Sequence, residues 1–173
     1  ADLTIGLILS VARRIVEGDE LSRTKGFDGW APLFFRGREV SEKTIGIIGL
    51  GEIGGAVAKR ARAFDMDVLY TGPHRKEEKE RDIGAKYVDL DTLLENADFI
   101  TINAAYNPDL HHLIDTEQFK KMKSTAYIVN AGRGPIINEQ ALVKALKEQE
   151  IEGAALDCLL YTSPSPRDQR GSR

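Results

Sequence analysis

The chain has 173 residues, a formal net charge of −3, 42% hydrophobic residues and 29% charged residues. That length supplies one sizeable core, the composition is ordinary for a globular chain, and the acidic balance gives no reason to expect nucleic acid or an anionic membrane as a partner. The one cysteine, Cys158, excludes an internal disulfide framework and a multi-cysteine zinc site, and it suits a reducing, cytoplasmic setting.

The opening ADLTIGLILSVARRIVEG places Leu3, Leu7, Ile8, Val11 and Ile15 at helical spacing, with Gly18 as the expected C-cap. Arg13 and Arg14 interrupt the apolar run short of the ~20 residues of a membrane span, and no basic leader precedes it. The stretch therefore reads as an amphipathic helix that packs on another surface. It starts with neither an N-cap nor an initiator Met, so the expectation is a protein that begins further upstream. Residues 27–40, FDGWAPLFFRGREV, are aromatic-rich, broken by Gly29, Pro32 and Gly37, and have no sustained period. Trp30, Phe34 and Phe35 form either a satellite cluster under a loop or an apolar arm for a second subunit.

From Thr44 the pattern becomes regular. TIGIIGL is a short apolar run bounded by glycine, suited to a strand buried on both faces. A helix follows, with Ile53, Val57, Ala58, Ala61 and Phe64 on one side and Lys59, Arg60 and Arg62 on the other. DVLYT reads as a second strand, YVDL as a short third, ADFITIN as a fourth, TAYIVNAG as a fifth and IEGAALD as a sixth. Asp115 and Gln118 in DTEQFKKM predict a capping box at a helix start, and Asn138 predicts a cap for a helix over NEQALVKALKEQ. Strands alternating with helices predict parallel βαβ units with right-handed crossovers. The expected fold is α/β, a doubly wound parallel (Rossmann) sheet over residues 41–157. A helical and aromatic arm over 1–40 precedes it, and a Ser/Pro/Arg tail over 158–173 follows.

GLGEIG carries the strongest local signal: Gly49, Gly51 and Gly54 in G-x-G-x-x-G spacing, after a predicted buried strand and at the start of a predicted helix. Gly49 permits the tight turn, Gly51 leaves room for a pyrophosphate, and Gly54 brings helix and strand close. A helix N-terminus carrying roughly +0.5 charge favours the phosphates. A glycine turn with no ligand is the bland alternative. At the end of the second strand, YTGPHRKEEKE has Gly72 where a carboxylate would hold the ribose hydroxyls of NAD, and His74, Arg75 and Lys76 follow. A guanidinium there can bind the 2′-phosphate of NADP through charge-assisted hydrogen bonds, so NADP is the expected cofactor and NAD the second choice. The alternative is a solvated basic turn balanced by Glu77, Glu78 and Glu80. In NAGRGP, at the end of the fifth strand, Arg133 falls on the side of the sheet where ligands bind. Its fixed charge suits holding a carboxylate or polarising a carbonyl; a surface turn arginine is the alternative.

Taken together, GIIGLGEIGGAVAKRA, VLYTG, LLENADFITIN and the run from LIDTEQFKKM to GAALD resemble the cofactor domain of the D-isomer-specific 2-hydroxyacid dehydrogenases. The resemblance covers residues 1 to 157, and the basic stretch after the second strand is most like the NADP-using glyoxylate/hydroxypyruvate reductase branch. It implies an interdomain helix and dimerisation arm within residues 1–40, a homodimer when full length, and hydride transfer between a nicotinamide and a small 2-oxoacid or 2-hydroxyacid. Arg133 would bind the substrate carboxylate and carbonyl. Gly51, Glu52 and Ile53 would contact the pyrophosphate, Thr71 to Arg75 would surround the adenosine ribose, Ala105 and Ala131 would line the cleft, and Asp157 would sit by the nicotinamide.

One departure stands out. In the family, the strand ending at Asp157 runs on to an acidic segment ending in Glu-Pro, whose glutamate pairs with a downstream acid–base histidine. Here the corresponding step lands on Thr162 and no histidine follows. Of the three histidines, His74 falls at the adenosine end, while His111 and His112 read as solvated or packing residues. CLLYTSPSPRD, from Cys158 to Asp168, reads as an in-frame sequencing adaptor, with a disordered Ser/Pro/Arg tail as the alternative. As written, the chain is expected to lack catalysis. A nucleotide-binding module, sensing redox state or docking a partner, is the competing function. An oxidoreductase of another Rossmann family is a third, disfavoured by the joint presence of NAGRGP and GAALD.

Overall fold

The computed structural model describes residues 1–24 and 34–157. Its six strands are β1 (Thr44–Ile48), β2 (Asp67–Thr71), β3 (Ala85–Tyr87), β4 (Phe99–Ile102), β5 (Tyr127–Asn130) and β6 (Gly153–Leu156). All pair in parallel, in the order β3-β2-β1-β4-β5-β6. The order reverses between β1 and β4, which creates the crevice at a topological switch point.

The apolar strands need cover on both faces, and the helices supply it. Ile45, Ile47, Val68, Tyr70, Phe99 and Val129 face a layer made by α1 (Asp2–Ala12), α3 (Glu52–Arg62) and the end of α4 (Glu77–Ile83). Ile48, Ile100, Ile102 and Ile128 face α5 (Leu90–Asn96), α6 (Thr116–Lys121) and α7 (Glu139–Lys147). Each fully buried aliphatic side chain contributes about 1.5–3 kcal/mol. The predicted caps are in place: Asp115 and Gln118 form a complete capping box, and Asn138 Oδ1 accepts from the amides of Gln140 and Ala141 at 3.1 and 3.3 Å. Asn138 Nδ2 also donates to Asp115 at 3.0 Å, so the two caps lock together.

The N-terminal segment differs from expectation. It is two helices, α1 and then α2 (Ile15–Thr24), so Gly18 lies inside a helix and caps nothing. Arg14 takes a left-handed φ of 55°, and residues 37–38 cross the end of α1, where Arg38 donates its amide to Ala12 O at 2.7 Å. The buried stripe of α1 is Thr4, Ile8 and Ala12, whereas Leu3 and Ile15 are 55% and 53% exposed. β3 lies earlier than the expected YVDL, and it ends at Tyr87 because Asp89 caps α5 through the Thr92 amide at 2.9 Å. Phe64 lies beyond the end of α3 and packs at the edge of the core.

Helices α4 and α5 are absent from the sequence reading because one is mostly charged and both span seven residues. Trp30 and the tail 158–173 lie outside the described residues. Among the described residues no helix is long and apolar enough to cross a membrane, and no His/Cys/Asp/Glu cluster could hold a metal ion.

Candidate functional site

The carboxyl ends of β1, β4 and β5 open onto one edge of the sheet, and the chain leaves β1 through the glycine turn. Gly49 has φ 98°, and a Cβ there would lie 2.8 Å from the Ala104 backbone. A Cβ on Gly54 would run into the Gly49 carbonyl oxygen, while one on Gly51 would have nothing within 4 Å. Gly49 and Gly54 thus answer to the packing of the turn, and Gly51 leaves a space before the first-turn amides of α3. An anionic diphosphate fits that cradle, because the helix end offers unpaired N–H groups and partial positive charge. The turn is tied to β2 by Gly49 N–H donating to Thr71 O at 2.9 Å.

The cleft has two lobes that share Asn103, Ala104 and Ala105. The first, about 560 Å³, runs from Gly49 and Gly51 to Thr71, Gly72, His74 and Lys76. The second, about 570 Å³, runs from Ile53 past Tyr106 to Ala131, Arg133 and Pro135.

Buried Tyr70 holds the loop over 72–76. Its hydroxyl donates to Glu80 Oε1 at 2.6 Å and accepts the Lys76 amide at 2.7 Å. Burial and the bond to Glu80 push the phenol up to about 12. Arg75 places Nε and Nη2 on the two oxygens of Glu80, each at 2.9 Å. Arg75 and Tyr70 together hold the Glu80 carboxyl below its ordinary range.

In the second lobe, Arg133 is exposed and donates Nη1 to Gly132 O at 3.0 Å. The turn beneath it is set by Asn130, only 1% exposed, whose Oδ1 accepts the Gly132 amide and whose Nδ2 donates to Arg133 O, both at 3.0 Å.

A family profile described as the D-isomer specific 2-hydroxyacid dehydrogenase, NAD binding domain, matches residues 5–170. The chain belongs to the D-isomer-specific 2-hydroxyacid dehydrogenase family. A Staphylococcus epidermidis protein, provisionally named a 2-hydroxyacid dehydrogenase, is 90% identical over 157 residues, covering 91% of this chain and 50% of the relative. Among solved structures, a D-isomer specific 2-hydroxyacid dehydrogenase from Lactobacillus delbrueckii ssp. bulgaricus in its NAD complexed form is 32% identical with a TM-score of 0.85, over 95% of this chain and 49% of that one. A glyoxylate reductase from Paecilomyes thermophila is 34% identical with a TM-score of 0.84, over 98% and 51%. The chain spans about half the length of the curated relatives it matches.

Within this dehydrogenase-family domain, most residues singled out in the sequence converge on the cleft: Gly49, Gly51, Thr71, His74 and Ala105 in the first lobe, and Ile53, Ala105, Ala131 and Arg133 in the second. Three do not. Arg75 turns to Glu80, and Lys76 takes its place in the lining. Glu52 opens α3 with an exposed side chain paired to Lys79. Asp157 is exposed at the end of β6, its amide bonded to Asn130 O at 3.0 Å. His111 and His112 stack at 3.9 Å, and His111 Nδ1 lies 3.4 Å from the Tyr106 hydroxyl.

Two residues that the sequence reading passed over also belong here. Asn130 builds the Arg133 turn. Asn103, between the lobes, accepts from Thr101 Oγ1 at 3.1 Å and reaches Thr4 of α1 at 3.5 Å. The available signal was a polar amide at the carboxyl end of an otherwise apolar strand.

Proposed function

We propose that the chain is the cofactor-binding part of an oxidoreductase that moves hydride between NADP(H) and a small 2-oxoacid or D-2-hydroxyacid. The observation that carries this reading is the adjacency of two lobes that share Asn103, Ala104 and Ala105, with the glycine cradle in one and Arg133 in the other. Gly51 and the amides of Glu52 and Ile53 hold the diphosphate. Thr71, Gly72, His74 and Lys76 border the adenosine ribose. NADP over NAD is supported by Gly72, which offers no carboxylate to repel a 2′-phosphate, and by the imidazole and ammonium beside it. Arg75, bonded to Glu80, steadies the loop that carries them.

The bound nicotinamide supplies hydride chemistry at its C4 position. Arg133 holds the substrate carboxylate and polarises the carbonyl; its charge is permanent, so it moves no proton. Ala105 and Ala131 keep the walls thin, and Asp157, outside the lining at the end of β6, would lie beyond them on the nicotinamide side. The proton needs a group of near-neutral pKa, and none of the chain's three histidines lines the lobe that holds Arg133. The chain as given therefore binds the dinucleotide without turnover. The same observation favours a second reading, a nucleotide-binding module that senses redox state or docks a partner.

Residues 1–40 serve as interdomain helix and arm, and the exposed Leu3, Ile15, Val16 and Phe34 support a homodimer of the full-length protein. A cytoplasmic setting rests on the lone Cys158. Calorimetric titration of NADPH and NADH into the chain tests the cofactor reading. NADPH should bind more tightly. Tighter NADH would overturn the NADP assignment, and binding of neither would overturn the cofactor role.

A further inference from the structure

Glu52, the first residue of α3, follows directly on Gly51 and has a side chain 99% exposed. A carboxylate in the first turn suits the helix dipole, but it also competes with any anionic ligand for the same positive end. An unopposed negative charge there would repel a diphosphate.

The structure opposes it. Lys79, on α4, extends its Nζ to Glu52 Oε1 at 3.0 Å and to the Gly51 carbonyl oxygen at 2.9 Å. Its path runs over the start of α3, where a Cβ on Gly55 would lie 3.4 Å from Nζ. Of the two glycines of EIGGA, Gly54 is required by the turn, whereas a Cβ on Gly55 would only reach ordinary contact with the lysine. The Glu52 carboxyl is held below its ordinary value by the hydrogen bond and charge of Lys79. An exposed pair of this kind adds little to folding, so its consequence is electrostatic.

We propose that Lys79 is a positioning residue for the dinucleotide diphosphate: by neutralising Glu52 and pinning the Gly51 carbonyl, it keeps the first turn of α3 receptive to an anion. This rests on the dinucleotide-binding reading above, but not on the choice between NADP and NAD, since the diphosphate is common to both.

Four versions of the chain test it by calorimetry with NADPH and with NADH: the unaltered chain, Lys79→Met, Glu52→Gln and the double variant. Lys79→Met should weaken both dinucleotides equally, by about fivefold, the size of one partly screened charge at several ångströms. Salt should shrink that loss. Glu52→Gln should bind at least as tightly as the unaltered chain, and the double variant should recover to within about twofold of it. Urea midpoints should be the same for all four.

Loss confined to NADPH would overturn the proposal in favour of a direct 2′-phosphate contact. A double variant as weak as Lys79→Met would overturn it in favour of direct action on the ligand, and unchanged binding in Lys79→Met would remove the role altogether. If the unaltered chain binds neither dinucleotide, the cofactor reading itself falls and this inference with it, a result visible before any variant is made.

Discussion

Glu80 grips Arg75 through two nitrogens, each at 2.9 Å, while the same carboxylate accepts the buried Tyr70 hydroxyl at 2.6 Å. One half-buried acid thereby organises a basic loop. The loop keeps its shape because a guanidinium and a phenol satisfy Glu80 together, and its side chains His74 and Lys76 line the cleft.

The first consequence concerns alkaline pH. The Tyr70 phenol, ordinarily at 10, is pushed up to about 12 by burial and by Glu80. A group whose folded pKa is raised contributes stability fully present below the unfolded value and lost as pH rises through the folded one. The stability difference between the wild type and Tyr70→Phe should therefore hold steady below pH 10 and shrink between 10 and 12. Urea unfolding across that range measures it, and a difference flat throughout would count against the raised pKa.

In the proposed NADP reading, Gly72 matters by what it lacks. A Cβ there meets nothing within 4 Å, so Gly72→Asp should fold normally. A carboxylate beside the 2′ position should lower NADPH affinity by about tenfold or more and leave NADH equal or tighter. Paired fluorescence titrations read the ratio; an unchanged ratio would place the 2′ position elsewhere.

The glycines of the turn should separate stability from binding. Gly54→Ala drives a methyl group into the Gly49 carbonyl and should cost about 1–3 kcal/mol in urea unfolding. Gly51→Ala has open space and φ −79°, so it should cost at most about 1 kcal/mol as a poorer N-cap. It should nevertheless lose dinucleotide affinity, since its methyl group occupies the cradle. Equal effects of both changes on both readouts would contradict this division.

Asn130→Ala removes the partners of the Gly132 amide and the Arg133 carbonyl at a buried site. The expected cost is about 1–3 kcal/mol for polar groups left unsatisfied. Hydrogen exchange should show faster opening at Gly132, with the core of β5 still protected. Protection unchanged at Gly132 would mean that another group holds the turn.

Much of the fold was legible because its signals are local. TIGII, FITI and YIVN are continuous apolar runs that only a doubly covered strand can bury, and all four residues of β4 and of β5 are buried. The capping box at Asp115 and the cap at Asn138 are written within three residues of the helix starts they serve. Helices α4 and α5 escaped notice because EEKERDI and LDTLLEN are too short to display a face. Gly18 misled because a glycine marks a helix end only where the chain must turn left-handed, and in this protein Arg14 makes that turn.

The sequence by itself determined the parallel sheet, the glycine turn at its switch point and the placing of Arg133 beyond β5, since each follows from neighbours a few positions apart. Only the tertiary structure decided that α1 buries Thr4, Ile8 and Ala12, that Arg75 belongs to Glu80, and that Lys79 reaches Gly51 across 28 positions of chain. The physical reason is that a charged side chain has several possible partners along the sequence, and packing of the helices against the sheet selects among them.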